Sequence, residues 1–244
     1  MEINRNNCEL KDEVLEEFLQ SLEWKSFANL GVDVMQASIK TIVENEILKE
    51  LPIVKISISV LKFGKNMRER NLLKQQLNFI KTLNDGTIPN DELKKHQTSL
   101  EQDPKKLEKE LGRVMLLLDR HTEYMQSQVL ARFYQAYIKR EVSWAKFCEL
   151  AAANERIFIS DYEILLAIFN KLGRDTQHSD YTNNYQVDRL ISLGFLSKKI
   201  EVSDSDISES LRWGGSAISG SRIITITLTP FGELICKFLP KRAN

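Results

Sequence analysis

The sequence predicts a mainly α protein, with an all-helical region over residues 1–158 followed by a smaller α+β region over residues 159–244. Through the first two thirds, apolar residues recur every three or four positions, the period of a helix buried on one face, and strand-like alternation is missing. In the last third the grammar changes, because FLSKKIEV and RIITITLT read as strands set among helices. A chain of 244 residues, 42% hydrophobic and 28% charged, can bury a core in each region, which excludes wholesale disorder.

Leu10, Val14, Phe18 and Leu22 form the first helical stripe, and Phe27, Leu30, Val34, Ile42 and Ile47 the second. Leu51 precedes Pro52, whose ring suits a first helical turn and pushes Leu51 out of helical geometry. The third helix is expected to start as PIVKISISVLKFG and to run on into RERNLLKQQLNFIKTL. Asn84-Asp85-Gly86 supplies a turn, and Asn90 a cap for the next helix. Asp103-Pro104 is a stronger start signal, leading into the stripe Leu107, Leu111, Val114 and Leu118. Leu130, Phe133, Tyr134, Tyr137 and Ile138 mark another helix, and Ser143 opens one through Trp144, Phe147 and Leu150.

The C-terminal region begins with a helix capped by Ser160, carrying Tyr162, Leu165, Leu166 and Phe169 inward and ending at Gly173. The polar stretch RDTQHSDYTNN separates it from a helix with Val187, Leu190 and Ile191 inward, stopped by Gly194. Strand FLSKKIEV, the loop SDSDISESLRWGGSAISGS and strand RIITITLT follow. A last helix, TPFGELICKFLP, is capped by Thr229 with Pro230 at its first position.

Helix, polar connector, helix, strand, loop, strand, helix is the order of a winged helix-turn-helix. LISLGFLSKK resembles that family's recognition-helix end entering the first wing strand, and ITLTPFGELICKFL its second wing strand turning into a final helix. The resemblance covers about Phe158 to Leu239 and implies DNA bound through the second helix in the major groove, with the wing on the backbone. Carried over by position, that helix (about Tyr181 to Leu193) offers Asn183, Asn184, Tyr185, Gln186 and Arg189 to DNA or a partner, and the wing offers Lys198, Lys199, Arg212, Trp213 and Arg222. Asparagine, glutamine and arginine read base edges, whereas phosphate contacts need cations. Yet Ser160 to Asn244 holds ten basic and ten acidic side chains, with Asp204, Asp206 and Glu209 in the wing itself. Winged helices also serve as protein-interaction modules, so DNA and a protein partner both stand as expectations.

The segments LPIVKISISVLKFG, RERNLLKQQLNFI, MLLLDRHTEY and ARFYQAYIKREVSWAKF resemble small uncharacterised helical bacterial proteins over about Leu51 to Ile159. That resemblance implies a bacterial or mobile-element origin and no chemistry; phage defence is the setting such company suggests.

Lysine plus arginine and aspartate plus glutamate each total 34, which excludes nucleic-acid binding by bulk positive charge while leaving local patches open. One such patch is Lys62, Lys65, Arg68, Arg70, Lys74 and Lys81 against Glu69 alone, directly after the apolar Ile53–Phe63. An apolar helix running into a basic one could lie on an anionic membrane surface through Lys62, Lys65, Arg68, Arg70 and Lys74, could bind phosphates, or could be a buried helix with a solvated end. Cysteines 8, 148 and 236 are odd in number and dispersed, which argues against a disulfide framework or a zinc ribbon. His96, His121 and His178 lack metal-ligand spacing, and His121 beside Asp119, Arg120 and Glu123 reads as part of an ion-pair network joining helices. Trp213-Gly214-Gly215 lacks the lysine and helix of a phosphate loop. The polar start and the lack of an apolar run near ~20 residues predict a cytoplasmic protein without signal peptide or membrane span. The sequence therefore predicts a non-enzymatic protein without cofactor or metal. It would bind DNA or a protein through its C-terminal module and associate with itself or a partner through its helices. The alternative is a helical phage-defence or toxin-type effector acting at a membrane through residues 53–81.

Overall fold

A computed structural model describes residues 2–23, 34, 36–60, 66–171, 184–202 and 222–239. The chain forms two compact units, Met1–Glu155 and Arg156–Asn244. The described residues are mainly helical, with one small two-stranded antiparallel sheet.

The first unit comprises α1 (Glu2–Ser21), α2 (Ile39–Glu44), a 3-10 turn (Leu48–Glu50), α3 (Pro52–Val60), α4 (Met67–Leu83), α5 (Asn90–Glu101), α6 (Pro104–Leu107), α7 (Arg113–Arg120), α8 (Tyr124–Ile138) and α9 (Trp144–Asn154). A π-helical turn, Glu108–Gly112, joins α6 to α7 without leaving helical geometry. Starts are set by short polar side chains that satisfy the free amides of a first turn. Asn66 accepts from the Arg68 N–H, Asp103 from the Lys106 N–H and Ser143 from the Lys146 N–H, while Glu123 and Gln126 form a capping box at α8. The α3 start borrows from α1, where Ser21 Oγ accepts the Ile53 N–H at 3.0 Å and donates to the Glu17 carbonyl.

The core of this unit runs along an aromatic line. Phe18 (α1) meets Phe79 (α4) at 6.0 Å, Phe79 meets Tyr134 (α8) at 5.9 Å, and Tyr134 meets Phe147 (α9) at 5.6 Å between ring centroids. All four side chains are fully buried and form a continuous apolar seam through four helices. Polar rungs cross the α4–α8 packing: Asn78 Nδ2 donates to Ser127 Oγ, and Gln135 Nε2 to the Thr82 carbonyl, each at 2.8 Å.

Two expectations about these helices are corrected. The segment from Pro52 to Leu83 is not one helix, because Asn66 is extended (φ −106°, ψ 119°) and caps a new start at Met67. Asn90 is the first residue of α5 and not its cap; Pro89 precedes it without a side-chain bond. Phe27 and Leu30 of the second stripe lie outside the described residues.

The second unit comprises α10 (Ile159–Lys171), α11 (Tyr185–Ser192), β1 (Leu196–Val202), β2 (Arg222–Leu228) and α12 (Pro230–Phe238). The strands pair antiparallel from Leu196 opposite Leu228 to Val202 opposite Arg222. Tyr162, Leu165, Val187, Leu190, Phe195, Ile226 and Ile235 close its core. Gly194, at φ +80°, ends α11 in a Schellman turn, with the Phe195 N–H on the Leu190 carbonyl and the Gly194 N–H on the Ile191 carbonyl, both at 2.9 Å. Thr229 Oγ1 accepts the Gly232 N–H at 3.0 Å and donates to the Gly194 carbonyl, tying α12 to the end of α11. Gly232 makes that approach possible, since a Cβ there would lie 2.1 Å from the Phe195 carbonyl oxygen. One start differs from expectation: α10 begins at Ile159, and Asp161, not Ser160, accepts the Phe158 N–H at 3.1 Å.

Candidate functional site

The predicted contact residues of the second unit fall into three groups. Asn183, Arg212 and Trp213 lie outside the described residues; Arg222 opens β2, its side chain likewise outside. Asn184 is the cap of α11, its Oδ1 accepting the Gln186 N–H at 2.8 Å, so this oxygen organises the helix. Tyr185, the first residue of α11, is 72% exposed, and Gln186 beside it is half-buried.

Arg189 is anchored on α10. Its guanidinium forms a two-bond fork on Asp161, Nε to Oδ2 at 2.7 Å and Nη2 to Oδ1 at 2.5 Å, and the Asp161 side chain is wholly buried. A buried carboxylate demands a paired cation, and the planar fork of arginine satisfies both oxygens. The same guanidinium carbon lies 4.4 Å from the Phe158 ring centroid and 5.6 Å from that of Tyr185. Phe158 is 60% exposed. The result is a surface cluster of two aromatic rings on one guanidinium, pinned from beneath by Asp161.

Register fixes the faces of the sheet. Leu196, Lys198 and Ile200 share a face with Leu228, Ile226 and Ile224. That face enters the core at Leu196 and Ile226 and emerges at Ile200, which is 56% exposed. Lys198 Nζ stands 3.9 Å from the Asp188 carboxylate of α11, so part of its charge is offset. Lys199 is exposed on the opposite face with Ser197, which shares a 2.6 Å hydrogen bond with Thr227.

In the first unit the basic segment is divided. Lys62 and Lys65 lie outside the described residues. Arg68 is engaged, its Nε donating to Asp119 Oδ1 at 2.8 Å and its Nη2 bonding the other oxygen, which holds the Asp119 carboxyl below its ordinary range. Arg70 and Lys74, one turn apart on α4, face Lys40 of α2 across an open cleft of about 730 Å³. The apolar part of the same stretch is corrected: Ile53, Val54 and Ile56 are buried, with α3 packed on α1, so they offer no apolar face to a bilayer. Among the described residues no helix is long and apolar enough to cross a membrane.

Two buried polar clusters complete the inventory. His121 is 1% exposed, and neither ring nitrogen has a hydrogen-bond partner among the described residues. Burial lowers its pKa from 6.5 to about 4. Around it Arg68–Asp119 joins α4 to α7, and Arg120–Glu155 joins α7 to the end of α9. The second cluster had no sequence signature. His96 Nε2 lies 2.8 Å from Tyr134 Oη and 3.5 Å from Glu110 Oε2, and Tyr137 Oη donates to Glu110 Oε1 at 2.7 Å. Burial depresses the His96 pKa to about 4 and raises that of Glu110. The π-helical turn contributes Glu110 on the inward face between Leu107 and Leu111, where an acid in an apolar stripe was the one available hint. This cluster lines neither the 730 Å³ cleft nor a shallower one along α5, so it acts as an internal joint of α5, α8 and the π turn.

Cys236 is buried and its thiol is pushed up to about 12, far from nucleophilic character. Among the described residues no group of three or more His, Cys, Asp or Glu side chains could hold a metal ion. Compared with family models, curated proteins and solved structures, the chain gives no match in any of the three.

Proposed function

We propose that the chain is a non-enzymatic binding protein whose C-terminal unit is a winged helix-turn-helix that docks a protein partner rather than reading duplex DNA. The observation that carries this reading is the pinned cluster of Phe158, Arg189 and Tyr185. The fork on Asp161 fixes the Arg189 guanidinium in place and takes two of its five N–H donors. Positioning on phosphate needs surplus cations, and the C-terminal region has equal numbers of acidic and basic side chains. Beside this anchor stand exposed Tyr185 and Phe158, both rings against the guanidinium. Tyrosine and arginine set in well-packed surroundings are the residue types that dominate protein–protein hot spots, and rigidity lowers the entropy lost on binding.

The test is a photocrosslinking amino acid at position 185 in cells that produce the chain, with position 197, on the outer face of β1, as control. A discrete protein adduct at 185, absent at 197 and lost with Phe158→Ser, supports the reading. A nucleic-acid adduct at 185, or salt-sensitive binding of purified protein to duplex DNA by fluorescence anisotropy, overturns it in favour of DNA. No adduct at 185 removes the contact altogether.

A further inference from the structure

A guanidinium has two edges that can grip a pair of acceptors, one formed by Nε with an Nη and the other by the two Nη nitrogens. In Arg189 the first edge is taken by Asp161, through Nε to Oδ2 and Nη2 to Oδ1. The second keeps one N–H on each Nη, and Nη1 carries a further one; among the described residues none of these three has an acceptor. The Asp161 side chain is wholly buried and that of Arg189 is 28% exposed, with no buried nitrogen left unpaired. The bound edge therefore faces the core and the open edge faces solvent. Phe158, 60% exposed, and Tyr185, 72% exposed, stand against the same guanidinium.

Resting on the docking role of this cluster, we propose that the open edge of Arg189 selects the partner by gripping the free main-chain carbonyls at the C-terminal turn of a partner helix. The charges around the edge decide the class of acceptor. Asp161 offsets Arg189, and Asp188, the residue before it on α11, stands 3.9 Å from Lys198 Nζ. A phosphate or carboxylate meets no surplus cation there, whereas a neutral carbonyl still gains a charge-assisted bond from the guanidinium. The number of donors decides the arrangement. Three N–H groups close together match several acceptors close together, and the last four carbonyls of a helix have no partner within it and carry the negative end of its dipole. A strand, by contrast, turns successive carbonyls to opposite sides. An apolar residue of that last turn, of the kind that packs at helix ends, then lies against Phe158 and Tyr185. Lysine supplies the charge of arginine without its two-pronged edge, so the residue at 189 sets specificity.

The test places p-benzoylphenylalanine at position 185 of the full-length chain in cells that produce it, and mass spectrometry reads the attachment site on the captured protein. Attachment within the last two turns of a partner helix is expected; attachment in a strand or in a loop remote from a helix end overturns the carbonyl acceptor. The captured protein is then purified and titrated calorimetrically against the native chain and Arg189→Lys, with circular dichroism reporting folding. Lysine keeps a cation beside Asp161, so a merely structural role predicts little change, whereas loss of the open edge is expected to weaken binding on the order of tenfold. Undiminished affinity in the folded variant overturns the role of Arg189 and leaves the docking role standing. If the variant unfolds, the attachment site on the native chain decides alone. Binding of the purified native chain to mixed-sequence duplex DNA that falls with Arg189→Lys overturns the protein acceptor in favour of a base edge. No adduct at 185 overturns both the docking role and this contact.

Discussion

Acid should destabilise the helical unit through His121, and replacing that histidine should remove the effect. Burial holds its pKa at about 4, against 6.5 for the ordinary side chain. Because the folded value is depressed, the unfolded chain takes up the proton first, so stability is intact above pH 6.5 and falls as the pH drops toward 4. Integrating the linkage from pH 7 to pH 5 with those two values gives a loss of about 2 kcal/mol from this residue alone. The neighbouring Asp119 does not offset it, since Arg68 keeps that carboxylate ionised through the window. His96 titrates over the same range, so the native chain loses more than His121 accounts for. The assay is urea unfolding followed by circular dichroism at pH 7 and pH 5, on the native chain and on His121→Leu. Leucine replaces two unpartnered ring nitrogens with apolar surface, so the variant should be at least as stable at pH 7. The quantity that decides is the difference between the two pH-dependent losses: about 2 kcal/mol is expected. Equal losses in the two proteins would refute the assignment of the proton to His121.

Asp161→Ala should cost about 3 kcal/mol by leaving the Phe158 amide and the Arg189 guanidinium without their buried acceptor; a double-mutant cycle with Arg189→Met tests whether the two residues act as one unit. Gly232→Ala should disrupt the second unit, because the added carbon would meet the Phe195 carbonyl oxygen at 2.1 Å; hydrogen exchange should show lost protection in α11, β1, β2 and α12 and unchanged protection in α4 and α8. Tyr134→Phe removes the hydroxyl paired with His96 and should lower stability by about 1–3 kcal/mol, measured by urea unfolding at pH 7. Glu110→Gln acts in the opposite pH sense to His121. Its raised folded pKa means that stability present below the ordinary carboxyl range is lost as pH rises through the folded value, so the variant should show a flatter stability profile above pH 4.5.

The mainly helical character was legible from the sequence because it rests on local patterns. Asp103, Ser143 and Thr229 cap the helices whose starts they announce, since a cap bonds within its own first turn. Leu-Thr-Pro-x-Gly at 228–232 reads correctly for the same reason, although why position 232 must be glycine emerges only when Phe195 lies against it. The break at Asn66 was hidden because apolar and basic residues keep a helical rhythm on both sides of it. Gln75, Gln76 and Asn78 look like an exposed face yet are buried, their amides turned to His121, Met115, Tyr124 and Ser127 on other helices. The His96–Glu110–Tyr134–Tyr137 cluster was invisible for the same physical reason: its members are drawn from three places in the chain and carry no shared spacing.

The cations teach a more specific lesson about sites. Arg68 and Arg189 were both natural candidates for an outward contact, and each also grips an aspartate, 51 and 28 positions away respectively. How an arginine is oriented is thus decided by acids that no local window contains. In the second unit exposed aromatic surface gathers beside one of these anchored arginines, at Phe158 and Tyr185. Phe158→Ser should therefore abolish the cross-link at position 185 while the variant keeps its fold by circular dichroism. An undiminished cross-link in the folded variant would mean that the aromatic pair does not form the contact.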